Sequence, residues 1–216
     1  MRDFSFSDVW LIVEAVRWTL ALSLIALIGG GLGGLVVALC RTADHKVLRS
    51  LARSFILVFQ GTPLLLQLFL IFFGLPVMGL DVSPWVAAGF ALVLNTSAFF
   101  GEIWRGCIEA VPHGQTEASK ALNLSYALRF RYVILPQAFR IAVAPTVGFM
   151  VQIIKGTSLT AIIGFAELTR TGQVVNNATF APMEVFGLVA ALYFCLCWPL
   201  SRWADHLEAR LKLSVR

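Results

Sequence analysis

Apolar residues run without a single charge over 18–40, 54–80, 82–101 and 185–201. A fifth stretch, 141–166, is apolar except for Lys155 and a few polar residues. A helix needs about 20 predominantly apolar residues to cross a bilayer. The pattern therefore predicts five spanning helices, drawn at 18–40, 54–76, 84–105, 137–163 and 185–203, within one membrane domain covering 1–216. The fold class is all-α and integral to the membrane. Residues 1–17 form a short amphipathic lead-in, with Phe4, Phe6, Val9, Trp10, Ile12 and Val13 set among acids. That segment either lies flat at the interface or extends the first span.

Local signals refine the spans. Gly29, Gly30, Gly31, Gly33 and Gly34 cluster in the first. Small residues in lipid let helices approach closely, and a kink that moves is the alternative. Pro63, near the start of the second span, removes a backbone hydrogen bond and bends the chain. The freed groups must find protein or water, so this stretch faces helices or a cavity rather than lipid. Ser83-Pro84-Trp85 reads as a cap, a first-turn proline and an interfacial aromatic opening the third span. The connection 109–136 is too long for a simple link. Within it 116–122 predicts a short helix, with Thr116 as cap and Glu117 in the first turn. Asn123 ends that helix, because Asn tolerates the left-handed C-terminal position. Ser125 then caps a second segment, 126–134, which Leu135-Pro136 terminates.

Composition supports the same class. The 216 residues are 58% hydrophobic and 13% charged, against nearly half and a quarter in soluble domains. The mean hydropathy is +0.81. These values argue against a soluble enzyme, a disordered chain or a nucleic-acid-binding domain. The net charge of +5 matters through its placement. Basic residues crowd after span one (Arg41, Lys46, Arg49, Arg53), after span three (Arg105, Lys120, Arg129, Arg131, Arg140) and after span five (Arg202, Arg210, Lys212, Arg216). The loop 74–84 has none, and the segment after span four has Arg170. Basic loops stay cytoplasmic. The N-terminus is then outside and the C-terminus inside, as an odd number of spans requires. The first apolar run is too long, and its flank too acidic, for a cleavable signal peptide.

Candidate chemistry is sparse. Cys40, Cys107, Cys195 and Cys197 show neither metal-ligand spacing nor a disulfide framework. His45, His113 and His206 are scattered, so no metal site is expected. No Gly-x-x-x-x-Gly-Lys-Ser/Thr segment is present, so this chain lacks a phosphate cradle for ATP. A membrane enzyme would need a nucleophile with a positioned base inside a span, and Glu102 is the one acid near such a position. A secondary carrier would show internal repeats, and none is found. Ionisable groups in spans need a reason. Glu102 and Arg105 read either as an interfacial pair or as site residues. Lys155 reads as half of an ion pair, as the mark of an earlier span end, or as part of a polar pocket at a subunit interface that holds the amino and carboxyl groups of an amino acid. With Asn95, Ser97, Glu102, Gln152, Thr157 and Ser158 it makes a candidate substrate-binding set. Asn95, Thr96 and Ser97 serve alternatively as glue between helices.

Glu117-Ala118-Ser119-Lys120-Ala121-Leu122-Asn123, followed by Ile134-Leu135-Pro136, resembles the EAA loop of bacterial ABC importer permeases. Ser119 stands for the usual Ala and Asn123 for the usual Gly, and Ile134-Leu135-Pro136 is shifted from the general spacing. Four further segments resemble the polar amino-acid subfamily, the histidine/glutamine/arginine importers: 60–67 (QGTPLLLQ), 94–106 (LNTSAFF to EIWRG), 111–115 (VPHGQ) and 154–159 (IKGTSL). Glu167-Leu168-Thr169-Arg170 is similar too. The resemblance covers about residues 10–205.

It implies a type I importer permease of the bacterial inner membrane, with several partners. These are an identical or paralogous permease, two ATP-binding subunits that hold ATP and Mg, a periplasmic or lipid-anchored substrate-binding protein, and the bilayer; no cofactor belongs to this chain and no nucleic acid is a partner. The chain would be a transport subunit rather than an enzyme. Gly114, Glu117, Ala118, Ala121, Asn123, Leu135 and Pro136 would couple it to the ATPase. Where subfamily members often carry an acid this chain has Gly156, which leans the expected solute toward acidic or neutral amino acids over cationic ones. An opine or another amino-acid derivative is the alternative.

Overall fold

The computed structural model describes residues 2–214, with side chains through Arg210. Of the basic residues after the last span, the side chain of Lys212 and the whole of Arg216 lie outside the described part. The described residues are helical with short connections and contain no strand.

Helix α1 (Phe6–Thr42) runs unbroken, so the lead-in extends the first span. Asp8, three residues past the cap Ser5, accepts from the Ser5 backbone N–H and so closes the N-terminus. Helix α2 (Lys46–Gly61) ends at Thr62-Pro63, and α3 (Leu64–Phe69) restarts beyond it. The second apolar stretch is thus two helices meeting at 101°. It is a broken span, and its first limb starts eight residues before the apolar run does. The physical cause is Pro63, whose ring disfavours helical geometry in Thr62; Thr62 is extended, at φ −115° and ψ 140°.

Helix α4 (Pro84–Glu109) is the most buried span and the centre of the molecule. Its cap is as expected: Ser83 Oγ accepts from Val86 N at 3.4 Å. Its largest interface is with α1, where the glycine cluster explains the approach. A Cβ at Gly29 would fall 2.8 Å from Val93, and one at Gly34 2.6 Å from Phe100. Gly30 and Gly33 sit as tightly against Thr96 and Ser97. The glycines therefore serve helix contact. Leu22, Ala26, Leu68, Leu92, Phe100 and Ile153 centre the core between α1, α3, α4 and the helix that follows the polar loop.

The loop holds α5 (His113–Ala121) and α6 (Tyr126–Arg129). Helix α5 starts three residues earlier than Thr116 would place it: Pro112 is the cap, and the Gln115 N–H donates to the Pro112 carbonyl at 3.0 Å. Pro112, locked near φ −54°, already sets the turn. Asn123 is left-handed at φ 57°. Leu124 N–H donates to Ser119 O at 3.1 Å and Asn123 N–H to Lys120 O at 2.8 Å, which satisfies the last carbonyls. Ser125 Oγ caps α6 through Leu128 N.

A wide π turn (Phe130–Ile134) leads into α7 (Leu135–Thr157), which tightens into a 3₁₀ turn (Ser158–Ile163). A second π turn, Leu70–Gly74, follows α3. Both π turns run into Leu-Pro, at Leu75-Pro76 and Leu135-Pro136. A proline cannot bond its i−4 carbonyl and its ring clashes there, and a widened turn accommodates both.

Helix α8 (Leu168–Thr179) is short and was not foreseen from the sequence; α9 (Pro182–Ser214) completes the chain. Among the described residues four helical stretches are long and apolar enough to cross a membrane, or five if the bent pair is counted as one span.

Candidate functional site

The break between α2 and α3 leaves backbone groups without helical partners. Gln67, 5% exposed, answers most of them. Its Nε2 lies 2.9 Å from Phe59 O and 3.0 Å from both Thr62 O and Thr62 Oγ1. Asn95, near the middle of α4, donates to Gln67 Oε1 at 3.3 Å and approaches Phe59 O at 3.4 Å. Gln60 Nε2 reaches Ala98 O at 3.3 Å. An amide network thus ties the broken span to the central helix, as buried polar backbone in lipid requires.

Beside the network opens a cleft of about 640 Å³, within the roughly 300–1,000 Å³ usual for small-molecule sites. Gln60, Asn95, Gln152, Lys155 and Ser158 give it polar groups; Phe99, Phe149 and Leu92 give it apolar walls. Gly156 also lines it, and a Cβ there would meet Leu64 at 3.3 Å. No carboxylate lines the cleft. Among the described residues Lys155 has no ion-pair partner. It stands in the last turn of α7, just before the 3₁₀ turn.

Four of the seven sequence-selected residues therefore meet: Asn95, Gln152, Lys155 and Ser158. The other three lie elsewhere. Ser97 is buried against Gly33 of α1 and donates to Val93 O at 2.7 Å. Thr157 is fully buried and donates to Ile154 O at 2.7 Å. Glu102 pairs with Arg105, which also holds Glu109, in an ion-pair network at the far end of α4. So Ser97 acts as glue between helices, while Thr96 packs against Gly30 and, like Asn95, also lines the cleft. Gln60, Gln67 and Thr62 were missed as site residues. The signal was available: amides flanking a mid-span proline are where freed carbonyls need donors.

At the opposite end of α4, Val111, Ile134 and Ala138 root the loop in its own apolar cluster. Gly114, Glu117, Ala118 and Ala121 are exposed along α5; Asn123, Leu135 and Pro136 are exposed beyond it. Ser119 is 3% exposed, and its hydroxyl donates to Thr116 O at 2.8 Å. Its polarity is satisfied inside the helix, so Ser serves where Ala would. Leu122 is 75% exposed, a large apolar side chain offered on a polar knob, as a partner surface would be. Among the described residues no three His, Cys, Asp or Glu side chains gather as a metal site would.

Outside the spans, Glu167 is fully buried and caps α8. Arg170 N–H donates to Oε1 and the Tyr193 hydroxyl to Oε2, each at 2.8 Å. Burial pushes the Glu167 carboxyl above its ordinary pKa of 4.5, against those two donors.

Residues 30–213 match the family of binding-protein-dependent transport system inner membrane components. The glutamine transport system permease protein of Escherichia coli is 36% identical over 98% of this chain and 99% of its own. The nopaline transport system permease protein of Agrobacterium fabrum is 36% identical, covering 94% and 95%. The L-cystine transport system permease protein of Bacillus subtilis is 34% identical, covering 99% and 92%. Among solved structures, an amino acid ABC transporter crystallised with histidines superposes with a TM-score of 0.90 at 34% identity, over 97% of this chain and 100% of that one. The MetNI methionine transporter, inward facing, shares the fold: TM-score 0.79, 20% identity, 95% and 99% covered.

Proposed function

The chain belongs to the binding-protein-dependent transport system inner membrane component family and is a transmembrane subunit of an ABC importer, and from that premise we propose that it moves a polar amino acid held by its carboxylate in the cleft at the α2–α3 break. ATP hydrolysis belongs to a separate ATPase, so this chain is not an enzyme. The importer complex joins it to a membrane partner and that ATPase. Two permease copies, identical or paralogous, two ATPase subunits and a substrate-binding protein make up the assembly in this reading. The charge pattern supports α5 and α6 on the cytoplasmic side, with the N-terminus outside.

The observation that carries the solute reading is Lys155. It lines a cleft with no carboxylate among the described residues, beside amides and a hydroxyl that suit the α-amino and side-chain groups. An uncompensated cation in that setting favours a ligand with net acid or zwitterionic character. The polar amino-acid relatives support the class, and the absence of an acid at Gly156 supports acidic or neutral side chains over cationic ones. The nopaline relative supports a second reading, an opine-type amino-acid derivative.

Uptake by the reconstituted complex, competed by glutamate, glutamine, histidine, arginine and nopaline, tests this. Glutamate or glutamine should dominate; dominance by arginine would overturn the proposed side-chain preference. Lys155→Met should raise KM for uptake by about 10- to 100-fold, the equivalent of the roughly 1.5–3 kcal/mol of a hydrogen bond to a charged group. An unchanged KM would remove Lys155 from the site.

A further inference from the structure

A second cleft, of about 380 Å³, opens where the loop meets the transmembrane body. Its walls come from the last turn of α1, the first turn of α2, the end of α4, and α5 and α6. Three arginines line it, Arg41, Arg49 and Arg129, with His113 and the Tyr126 ring. The single acid on its wall, Glu109, is taken by Arg105. Arg41 lies within electrostatic reach of Glu102, but that carboxylate is held by Arg105. Among the described residues no ion pair forms on Arg41, Arg49 or Arg129.

Two of the arginines are held in place rather than loose. Arg49 donates through Nε and Nη2 to Ala43 O, at 3.2 and 2.8 Å, which fixes the connection between α1 and α2. The Arg129 guanidinium stacks 5.5 Å from the centre of the Tyr126 ring. Arg41 Nε is buried with no hydrogen-bond partner. A buried donor without an acceptor is rare and calls for a ligand. Planar guanidinium groups suit the paired oxygens of a phosphate. Lys46 and Arg53 add to the positive field along α2.

We infer that this cleft holds the phosphate of an anionic phospholipid headgroup, which ties the loop to α1 and α2. The lipid source is favoured over free phosphate by position. The cleft sits at the ends of α1 and α4, and α2 leaves it as a helix whose apolar residues Leu51, Leu57 and Val58 are exposed, as a lipid-facing surface would be. Basic pockets between spans on the cytoplasmic side recognise anionic headgroups in this way. The leaflet assignment rests on the orientation proposed above.

The assembled complex with its partner permease and ATPase, in nanodiscs containing phosphatidylglycerol, provides the test. After mild detergent release, native mass spectrometry should find phosphatidylglycerol retained by the wild type. Retention should fall at least fivefold in Arg41→Gln/Arg129→Gln but persist in Arg131→Gln, an exposed basic residue outside the cleft. Equal retention in the cleft variant, or equal loss in Arg131→Gln, overturns the site. If the double variant does not assemble, Arg49→Gln is read instead, together with the wild type in phosphatidylcholine discs.

Those phosphatidylcholine discs also receive inorganic phosphate. Coupled ATPase activity should be lower in these discs than in phosphatidylglycerol discs, and its full rescue by phosphate alone would make the ligand a free anion and overturn the lipid. Retention by the permease pair that vanishes once the ATPase binds would give the cleft to an acidic side chain of the ATPase, and overturn it equally. Orientation is read separately: Lys46→Cys, in a background with the four native cysteines replaced by serine or alanine, should react with an impermeant maleimide only in inside-out vesicles. Reaction from outside would refute the topology while leaving the retention result to stand or fall independently.

Discussion

Single residues carry the conformational and electrostatic exceptions of this chain. Asn123 sits at φ 57° and lets α5 end on two reversed hydrogen bonds. Glycine reaches that geometry without strain, whereas a β-branched side chain pays about 1–2 kcal/mol there. Asn123→Gly should therefore keep the thermal midpoint of the purified complex, and Asn123→Val should lower it and weaken ATP-coupled uptake. Equal midpoints for the two variants would mean that the left-handed turn is not what fixes the loop. Glu167 is the electrostatic exception. Burial raises its folded pKa above the unfolded value, so the folded state holds the proton more tightly. Stability contributed by this group is present below the unfolded pKa and is lost as pH rises through the raised folded value. Glu167→Gln keeps the shape and removes the titration. The midpoint of the wild type should fall relative to that variant as pH rises from 4.5 through that value, and a constant difference across the series would show that Glu167 does not titrate between the two states.

At the scale of elements, the broken span and the central helix depend on each other. Pro63 breaks the second span and exposes carbonyls that neither lipid nor helix can satisfy. Gln67 and Asn95 satisfy them, and in doing so draw α2, α3 and α4 around the larger cleft. Gln67→Leu keeps the volume but strands these acceptors. Each buried polar group left unpaired costs about 1–3 kcal/mol. The variant should unfold at a clearly lower temperature in detergent and lose uptake, whereas Leu66→Ala on the exposed side of α3 should do neither. Matching losses in both would assign the effect to general packing instead. The same helix logic explains the two π turns, since each precedes a Leu-Pro pair that regular bonding cannot cross.

On the scale of the whole molecule, the cleft and the loop occupy opposite regions of one central helix. Helix α4 contributes Asn95 to the cleft and Ile108 and Glu109 to the base of the loop. Any rigid displacement of α5 by an ATPase is carried through this helix and through α7, whose start packs with Val111 at the loop and whose end carries Lys155. In the reading proposed above, the exposed face of α5 is where that force enters. Ala118→Arg places a bulky charge on this face. Assembly in the membrane should persist while ATP hydrolysis by the complex no longer drives uptake. Uptake in vesicles at wild-type rates would show that α5 is not the point of engagement.

The periodicity and charge along the chain determined the class, the number of apolar stretches, the loop with its Asn123 stop and Ser125 cap, and half of the polar lining of the larger cleft. These are legible because burial in lipid demands long charge-free runs and because caps act over three or four residues. Tertiary structure decided the rest. Whether Ser97 faces a cleft or a glycine on α1 depends on which way a helix is rotated against its neighbour, and nothing within one helix records that. Gln60 and Gln67 became site residues only when Pro63 turned the chain through a right angle and brought their amides beside Asn95. The arginines of the second cleft come from three separate segments, and only their packing turns scattered topology signals into one positively charged hollow.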